Sequence, residues 1–503
     1  MWFIGLSREC NNMSKMAMKS NSILDSFPEY EVMIGMEVHV QLTTKSKIFC
    51  SCANVVGKDP NVNICVICAG YPGSLPVLNQ QVIDYAIVAG LATHSIISCR
   101  SSFDRKHYFY PDLPKGYQIT QQYEPICKAG YIPIRLENGT TKNIHLTRIH
   151  IEEDAGKNIH SAMSNESFVD LNRAGTPLLE IVSEPDISSA YETKAYLKAL
   201  RSIVQYLGIC SGNMEEGAFR ADTNISVRKK GSTIRGTKCE LKNINSFKFI
   251  GDAVEYEIER QIKLVQQGDS VHQETRLWDS NNKCTILMRT KEEAADYRYF
   301  GDPDLPMLLI SDERINVLKS TMPEMPYAKF ERLCREFELS AYEAEILVED
   351  KELADYFDEA SRHTTSKQLV HWILRDLMGY VKEHKISVNV CKVTPEKLAS
   401  IITMIELGVI SSSAAKKIFD YVADTGQDPH VILQLHGLQQ ISSADELGRV
   451  AREIIASNPA QVEQYKKTGN ERMLGFFVGK AMQKTHGKGN PAVFTELFVK
   501  LMS

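Results

Sequence analysis

Met33-Ile34-Gly35-Met36-Glu37-Val38-His39-Val40-Gln41-Leu42 alternates apolar and polar residues over most of its length. A β-strand points successive side chains to opposite faces, so Ile34, Met36, Val38 and Val40 share one face and Glu37, His39 and Gln41 the other. One face suits a core, and the other sets a carboxylate beside an imidazole. Neighbours two apart on a strand project in parallel about 7 Å from each other, close enough to hold one divalent ion or pass a proton. From spacing alone, the polar outer face of a surface strand is the stronger assignment.

Around that strand, the first three hundred residues carry short β-like runs, Gly and Pro turns and acidic clusters. Helical spacing is clear at 188–207, through Ala190, Tyr196, Leu197, Leu200 and Ile203, and again at 252–267. After Pro323 and Pro326 the pattern changes to successive helices, at 342–360, 367–383 and 395–405. A second boundary lies near 427–429. A chain of 503 residues exceeds what one core usually organises. The expected fold is therefore α+β: a large mixed α/β domain over 30–322, an all-helical domain over 323–428 and a small helical tail over 429–503. No internal repeat or low-complexity linker is present.

Hydrophobic residues at 43% and charged residues at 24% are ordinary for a globular chain. A net charge of -5 excludes a surface that is basic throughout, so nucleic-acid contact has to come from local patches. One such patch is the stretch 461–503, with seven Lys or Arg against three Glu. The opening MWFIGLSRECNNMSKMAMKSNS is too short in apolar residues for a secretory core and is broken by Arg8 and Glu9. Residues 1–29 read as a mitochondrial leader or an over-extended start with Met13, Met16 and Met18 clustered inside it. The expected compartment is the bacterial cytoplasm, with the mitochondrial matrix as the alternative. No run of about 18 apolar residues occurs, and no membrane span is expected.

Of twelve cysteines, most stand alone in apolar settings, as Cys210 and Cys334 do, and read as buried thiols. Cys50, Cys52, Cys65 and Cys68 differ, forming a CxC and a CxxC pair in one short segment. That spacing can gather four thiolates around tetrahedral zinc, and it favours zinc over four reduced thiols in a hairpin. Such a zinc is structural, because four thiolates leave no open coordination position.

Further carboxylates occur as Glu152, Glu153 and Asp154 in RIHIEEDAGK, Glu180 in NRAGTPLLEIVSEPD, and Glu215, Glu216 and Asp222 in MEEGAFRADTNISVR. Each cluster also fits a solvated acidic turn. Glu180 sits within Leu178-Leu179-Glu180-Ile181-Val182, where a buried carboxylate needs a cation or a hydrogen-bond donor. Lys106, among aromatics in DRKHYFYPDLPKGYQIT, offers a point positive charge for phosphate or else snorkels at the surface. No GxxxxGK[ST] phosphate loop exists, and no amidase-type Ser, Ser, Lys constellation is visible.

Together these segments resemble the tRNA-dependent amidotransferase B family nearly end to end. IGMEVHVQL, the cysteine pairs followed by AGYPGSLPVLN, FDRKHYFYPDLPKGYQIT, HIEEDAGK, DLNRAGTPLLEIVSEPDI, MEEGAFRADTNIS, ELKNINSF, TRLWD and DYRYF occur in the family's order. GFFVGKAMQKTHGKGNP resembles the family's tail motif, with Gly489 where alanine is usual. The resemblance implies a cradle-like catalytic domain, a helical domain and a tRNA-binding tail. It implies a complex with an amidase (the A subunit), which releases ammonia from glutamine, and with a small C subunit. The implied reaction phosphorylates the side-chain carboxylate of misacylated Glu-tRNA(Gln) or Asp-tRNA(Asn) with ATP and then forms the amide. Glu37, His39, Glu153 and Glu180 would hold catalytic Mg²⁺, and Lys106 would lie at the nucleotide phosphates. Tyr108, Glu216, Asp222 and Asn224 would be neighbours of that site. Zinc would support the fold only. A non-catalytic, zinc-containing tRNA-binding protein of the same complex is the alternative, disfavoured by the retained acidic and lysine positions.

Overall fold

In the computed structural model, the described residues are 23–160, 166–290, 296–441, 443–468, 471–485 and 487–502. The expected leader, apart from 23–29, lies outside them. The chain divides into two compact units between Tyr327 and Ala328.

The first unit is built on a ten-stranded sheet whose long members are β1 (Tyr30–Gln41), β2 (Thr141–Glu153), β3 (Pro177–Ser183), β4 (Phe219–Lys229), β5 (Cys239–Lys242), β6 (Glu274–Asp279) and β7 (Cys284–Thr290). Their order is β7-β6-β5-β4-β1-β3-β2, continuing from β2 into Cys127–Lys128 and Ile96–Ile97, while Tyr131–Arg135 also pairs with β2. Pairing is antiparallel except between β5 and β6. The alternation read from the sequence is the alternation of burial. Ile34, Met36, Val38 and Val40 have no exposed surface, and the residues between them are half-buried. The apolar face joins a core with Val82, Ile83, Ala86 and Ile87 of α1 (Gln80–Ala92), Tyr196, Leu197 and Leu200 of α2 (Ala190–Tyr206), and Ile250, Val254 and Ile258 of α3 (Phe247–Gln267). Burial of each such side chain contributes about 1.5–3 kcal/mol, and the polar face is left for chemistry.

α3 begins five residues before the helical spacing does, because the Ser246 side chain caps it by accepting from the Phe249 N–H. A second antiparallel layer pairs Asp104–His107 with Tyr117–Thr120 and Phe300–Gly301.

The second unit is helical throughout its described length and contains two cores. The larger gathers Leu347, Phe357, Trp372, Ile373, Leu398, Ile402, Ile418 and Phe419, and it includes Ile432 and Leu433 of the helix Pro429–Leu435. The smaller gathers Leu447, Ala451, Ile454, Phe477, Ala481, Phe494, Phe498 and Met502. The stretch expected as one helix over 342–360 is two, Ala341–Glu349 and Lys351–Ser361. Asp350 leaves the helical region at φ -118°, ψ 115°, and its carboxylate accepts from the Glu352 and Leu353 N–H groups, capping the second helix. No helix among the described residues is long and apolar enough to cross a membrane.

Candidate active site

Register decides which polar residues meet. β1 lies between β3 and β4, and β3 lies between β1 and β2. His39 stands opposite Glu180, and Glu180 stands opposite His150. Directly opposed residues share a face, and Glu152, two residues beyond His150, shares it too. His39 Nε2 accordingly lies 3.3 Å from Glu152 Oε1 and 3.3 Å from Glu180 Oε2, and His150 Nε2 lies 3.3 Å from Glu180 Oε2. His39, Glu152 and Glu180 each bring a ligand atom within 4.8 Å of the others. One imidazole nitrogen and two carboxylates are a donor set that can take a divalent cation and leave positions for substrate oxygens.

The electrostatics are those of a buried, mutually compensated cluster. Burial alone would lower His39, but hydrogen bonds to Glu152 and Glu180 outweigh it and raise it to about 10. Burial would raise Glu152, yet His150 and His39 hold it down at about 2. Glu180 is likewise held well below the usual carboxylate range against its burial, chiefly by His150 and His39. His150 Nδ1 is buried without a hydrogen-bond partner.

Glu37 is on the same face, one step along β1, opposite Val182 on one side and Asp222 on the other. Its Oε1 accepts from the Asn224 side chain at 2.9 Å. Burial raises its pKa, and the charges of Glu180 and Glu240 add to that. Lys242 Nζ pairs with Asp222 at 2.7 Å and Glu240 at 3.2 Å. Glu37, Asp222 and Glu240 thus form a second group of acids next to the first, with Asn224 and Lys242 donating to them. Glu216 is exposed in the turn ahead of β4, and its own N–H rests on the Asn213 side chain.

Lys106 lies on Asp104–His107 among aromatic rings, 4.9 Å from the centroid of Tyr297 and 5.9 Å from that of Tyr108. Burial works against its charge, but Glu152, Tyr299 and Glu180 raise its pKa, so the ammonium persists. Among the described residues no carboxylate lies within the 4.0 Å ion-pair distance of that ammonium. A half-sheltered, uncommitted cation is suited to an incoming phosphate. The Tyr108 hydroxyl donates to Gln118 Oε1 at 3.2 Å, and Gln118 in turn donates to the Glu153 carbonyl at 2.7 Å.

Glu153, expected beside His39 and Glu180, has other neighbours. It is not in the His39 and Glu180 cluster. Alternation turns it to the opposite face of β2, where Lys115 pairs with it and the Ile119 N–H donates to its Oε1 at 2.9 Å. It lines a cavity of about 390 Å³ together with Phe49, Cys50, Cys68, Arg105, Lys115 and Tyr117. Beside that cavity the Sγ atoms of Cys50, Cys52, Cys65 and Cys68 lie within 4.8 Å of one another, a cluster that could hold a metal such as zinc. Cys68 Sγ is 3.8 Å from Cys65 Sγ and 4.0 Å from Cys52 Sγ, near the ~3.8 Å that tetrahedral ligation at a Zn–S distance of about 2.3 Å requires.

A family model described as the GatB/GatE catalytic domain matches residues 32–316, and one described as the GatB domain matches 355–502. The B subunit of the aspartyl/glutamyl-tRNA(Asn/Gln) amidotransferase of Geotalea daltonii is 50% identical over 476 residues, covering 94% of this chain and 99% of that protein. The chain belongs to the amidotransferase B-subunit family. The corresponding B subunits of Thermodesulfovibrio yellowstonii and Persephonella marina are 48% and 47% identical, again over 94% of this chain and 99% and 100% of their own lengths. The resemblance read from the motifs is borne out, and so is a mixed α/β body followed by a helical region.

Within this amidotransferase B-subunit chain, several residues at the site escaped the sequence reading. Glu152 and His150 carried a signal, since Ile149 and Ile151 mark the apolar face of β2 and place His150 and Glu152 on the other. Tyr297 and Tyr299 carried only the DYRYF motif, because nothing local shows that the chain returns from residue 297 to Lys106. Lys115 likewise carried only its place in the FDRKHYFYPDLPKGYQIT motif, and Lys47 carried none.

Proposed function

We propose that this protein uses ATP to phosphorylate the side-chain carboxylate of Glu-tRNA(Gln) or Asp-tRNA(Asn), and then forms the amide with ammonia from a partner amidase. The observation that carries the reading is the His39, Glu152 and Glu180 cluster facing the uncommitted Lys106. A tRNA-linked carboxylate does not yield its oxygen to ammonia unaided. Converting it to an acyl phosphate supplies a leaving group, and phosphoryl transfer of this kind is mainly positioning and charge neutralisation.

His39, Glu152 and Glu180 would hold Mg²⁺, with Glu37 beside them. When bound, that ion neutralises charge on the transferring phosphoryl group. Lys106 would bind the phosphate oxygens, boxed by Tyr108, Tyr297 and Tyr299 so that its ammonium has few other orientations. His150 orients the two carboxylates from behind, as outer partners of metal ligands do. The complex would contain the amidase and a small third protein, the A and C subunits, and Cys50, Cys52, Cys65 and Cys68 would hold a structural zinc.

The test is Glu152→Gln in the reconstituted three-protein complex, measuring tRNA-dependent phosphate release from ATP and, in parallel, amide formation from added ammonium chloride. Both should be lost while glutamine hydrolysis by the amidase persists. Amide formation rescued by ammonium would assign Glu152 to ammonia delivery, and retention of both activities would remove the cluster from the activation step.

A further inference from the structure

Lys47 has no exposed surface. A buried ammonium needs acceptors or an opposite charge in place of the water it has lost. Its Nζ donates to the Asn63 carbonyl at 2.8 Å and to Cys68 Sγ at 3.7 Å, and among the described residues no carboxylate lies within 4.0 Å. One backbone acceptor satisfies one of three N–H bonds and none of the charge. The position is fixed by the fold. The Lys47 N–H donates to the Cys52 carbonyl at 2.9 Å, the next N–H, of Ile48, donates to the Gly175 carbonyl at 2.9 Å, and the stem passes Gly175. A Cβ on Gly175 would stand 3.7 Å from both Lys47 Cδ and Cys68 Cβ, so stem and cysteine share one wall.

Four thiolates outweigh a divalent ion by two negative charges. At Cys50 and Cys68 that excess is buried, where water screens little of it. We propose that Lys47 is the built-in counter-charge of the four-cysteine site: its ammonium offsets the excess negative charge of a tetrathiolate-bound zinc and sets how tightly the ion is held. This rests on the zinc reading above and makes an independent claim, that affinity depends on a charge outside the ligand set.

The experiment is competition for zinc between the full-length chain and a chromogenic chelator. Lys47→Met should surrender zinc at chelator concentrations about 10- to 100-fold lower than the wild type, the usual effect of removing an outer partner of a metal site. Lys47→Arg, which keeps the charge, should stay near the wild type. Cys52→His supplies the decisive background, since a neutral imidazole in place of a thiolate removes one unit of excess charge. There the loss on Lys47→Met should shrink. An equal loss in both backgrounds would mean that Lys47 acts by packing, and no loss in either would also overturn the proposal. Should Lys47→Met fail to fold, Lys47→Gln in the same two backgrounds carries the same comparison. A wild-type chain without zinc would bring down the zinc reading itself, a different failure from one in which zinc binds and Lys47 is indifferent.

Discussion

At the scale of single residues, Glu152 and Glu153 are adjacent carboxylates, both 3% exposed, with different partners. Glu152 faces two histidines, and Glu153 is clasped by Lys115 and the Ile119 N–H. Glu153→Gln keeps an acceptor for Ile119 but leaves the Lys115 ammonium, 13% exposed, without its counter-charge. It should therefore lower stability by about 2 kcal/mol, read from a thermal or urea melt, while tRNA-dependent phosphate release at low temperature survives. The reverse outcome, a stable but inactive Glu153→Gln, would return Glu153 to the metal. The carboxylate pair was legible as a motif, but assigning the role to one member required the strand's phase, which Ile149 and Ile151 supply. A second expectation concerns His39. Its folded value, about 10, stands above the ordinary 6.5, so without metal its stabilising contact is complete below pH ~6.5 and is lost as pH rises through about 10. To offer Nε2 to an ion it must shed that proton, so binding should release about one proton and tighten as pH rises toward 10. Calorimetric titration with Mn²⁺ near neutral pH, in two buffers of different ionisation heat, measures the release directly; no release would remove His39 from the ligand set.

At the scale of elements, the cysteine segment does more than close its own loop. Gly70 follows the CxxC pair at φ 71°, and a Cβ there would lie 2.7 Å from Lys115 Cγ and 2.9 Å from Lys115 N. The segment is thus seated directly on the residue that holds Glu153 at the end of β2. Gly73, at φ 83°, has nothing within 4 Å of such a Cβ. Gly73→Ala should cost only the left-handed backbone, about 1–2 kcal/mol. Gly70→Ala should cost a further ~1–3 kcal/mol for displaced packing, and equal melting temperatures for the two variants would show that the seat is loose. Elements differed in how far the sequence revealed them. β1 was readable because Ile34, Met36, Val38 and Val40 recur at every second residue, with Glu37, His39 and Gln41 at the alternate positions. The run over 342–360 was not, because a helix-compatible apolar spacing continues across Asp350, and only the capping geometry of that carboxylate breaks it. The pairing of β1 with both β3 and β4 has no local signature at all, since it joins residue 39 to residues 180 and 220.

At the scale of the whole molecule, the acidic balance of -5 conceals a basic terminal region, and the structure decides how that region should be tested. Removing residues 461–503 would strip Phe477, Ala481, Phe494 and Phe498 from a core they share with Leu447, Ala451 and Ile454. Truncation would then confuse lost tRNA contact with exposed apolar surface. Charge removal avoids this. Lys466, Lys480 and Lys500 are exposed, whereas Lys467 pairs with Glu463 at 2.8 Å and Lys484 with Glu453 at 2.5 Å. The triple substitution Lys466→Ala, Lys480→Ala, Lys500→Ala leaves the core and those pairs intact. A lysine that neutralises a phosphate releases a counterion, contributing about 0.9 to the slope of log affinity against log salt on a duplex. If the tail meets the tRNA backbone, the triple variant should bind tRNA more weakly at low salt and lose up to about three units of slope, converging on the wild type as salt rises. Phosphate release should then show a higher KM for tRNA at nearly unchanged kcat, because the substitutions leave the proposed metal-holding residues His39, Glu152 and Glu180 untouched. A salt slope equal to that of the wild type would leave the basic tail as a solvated helical surface and move the tRNA contact elsewhere in the chain.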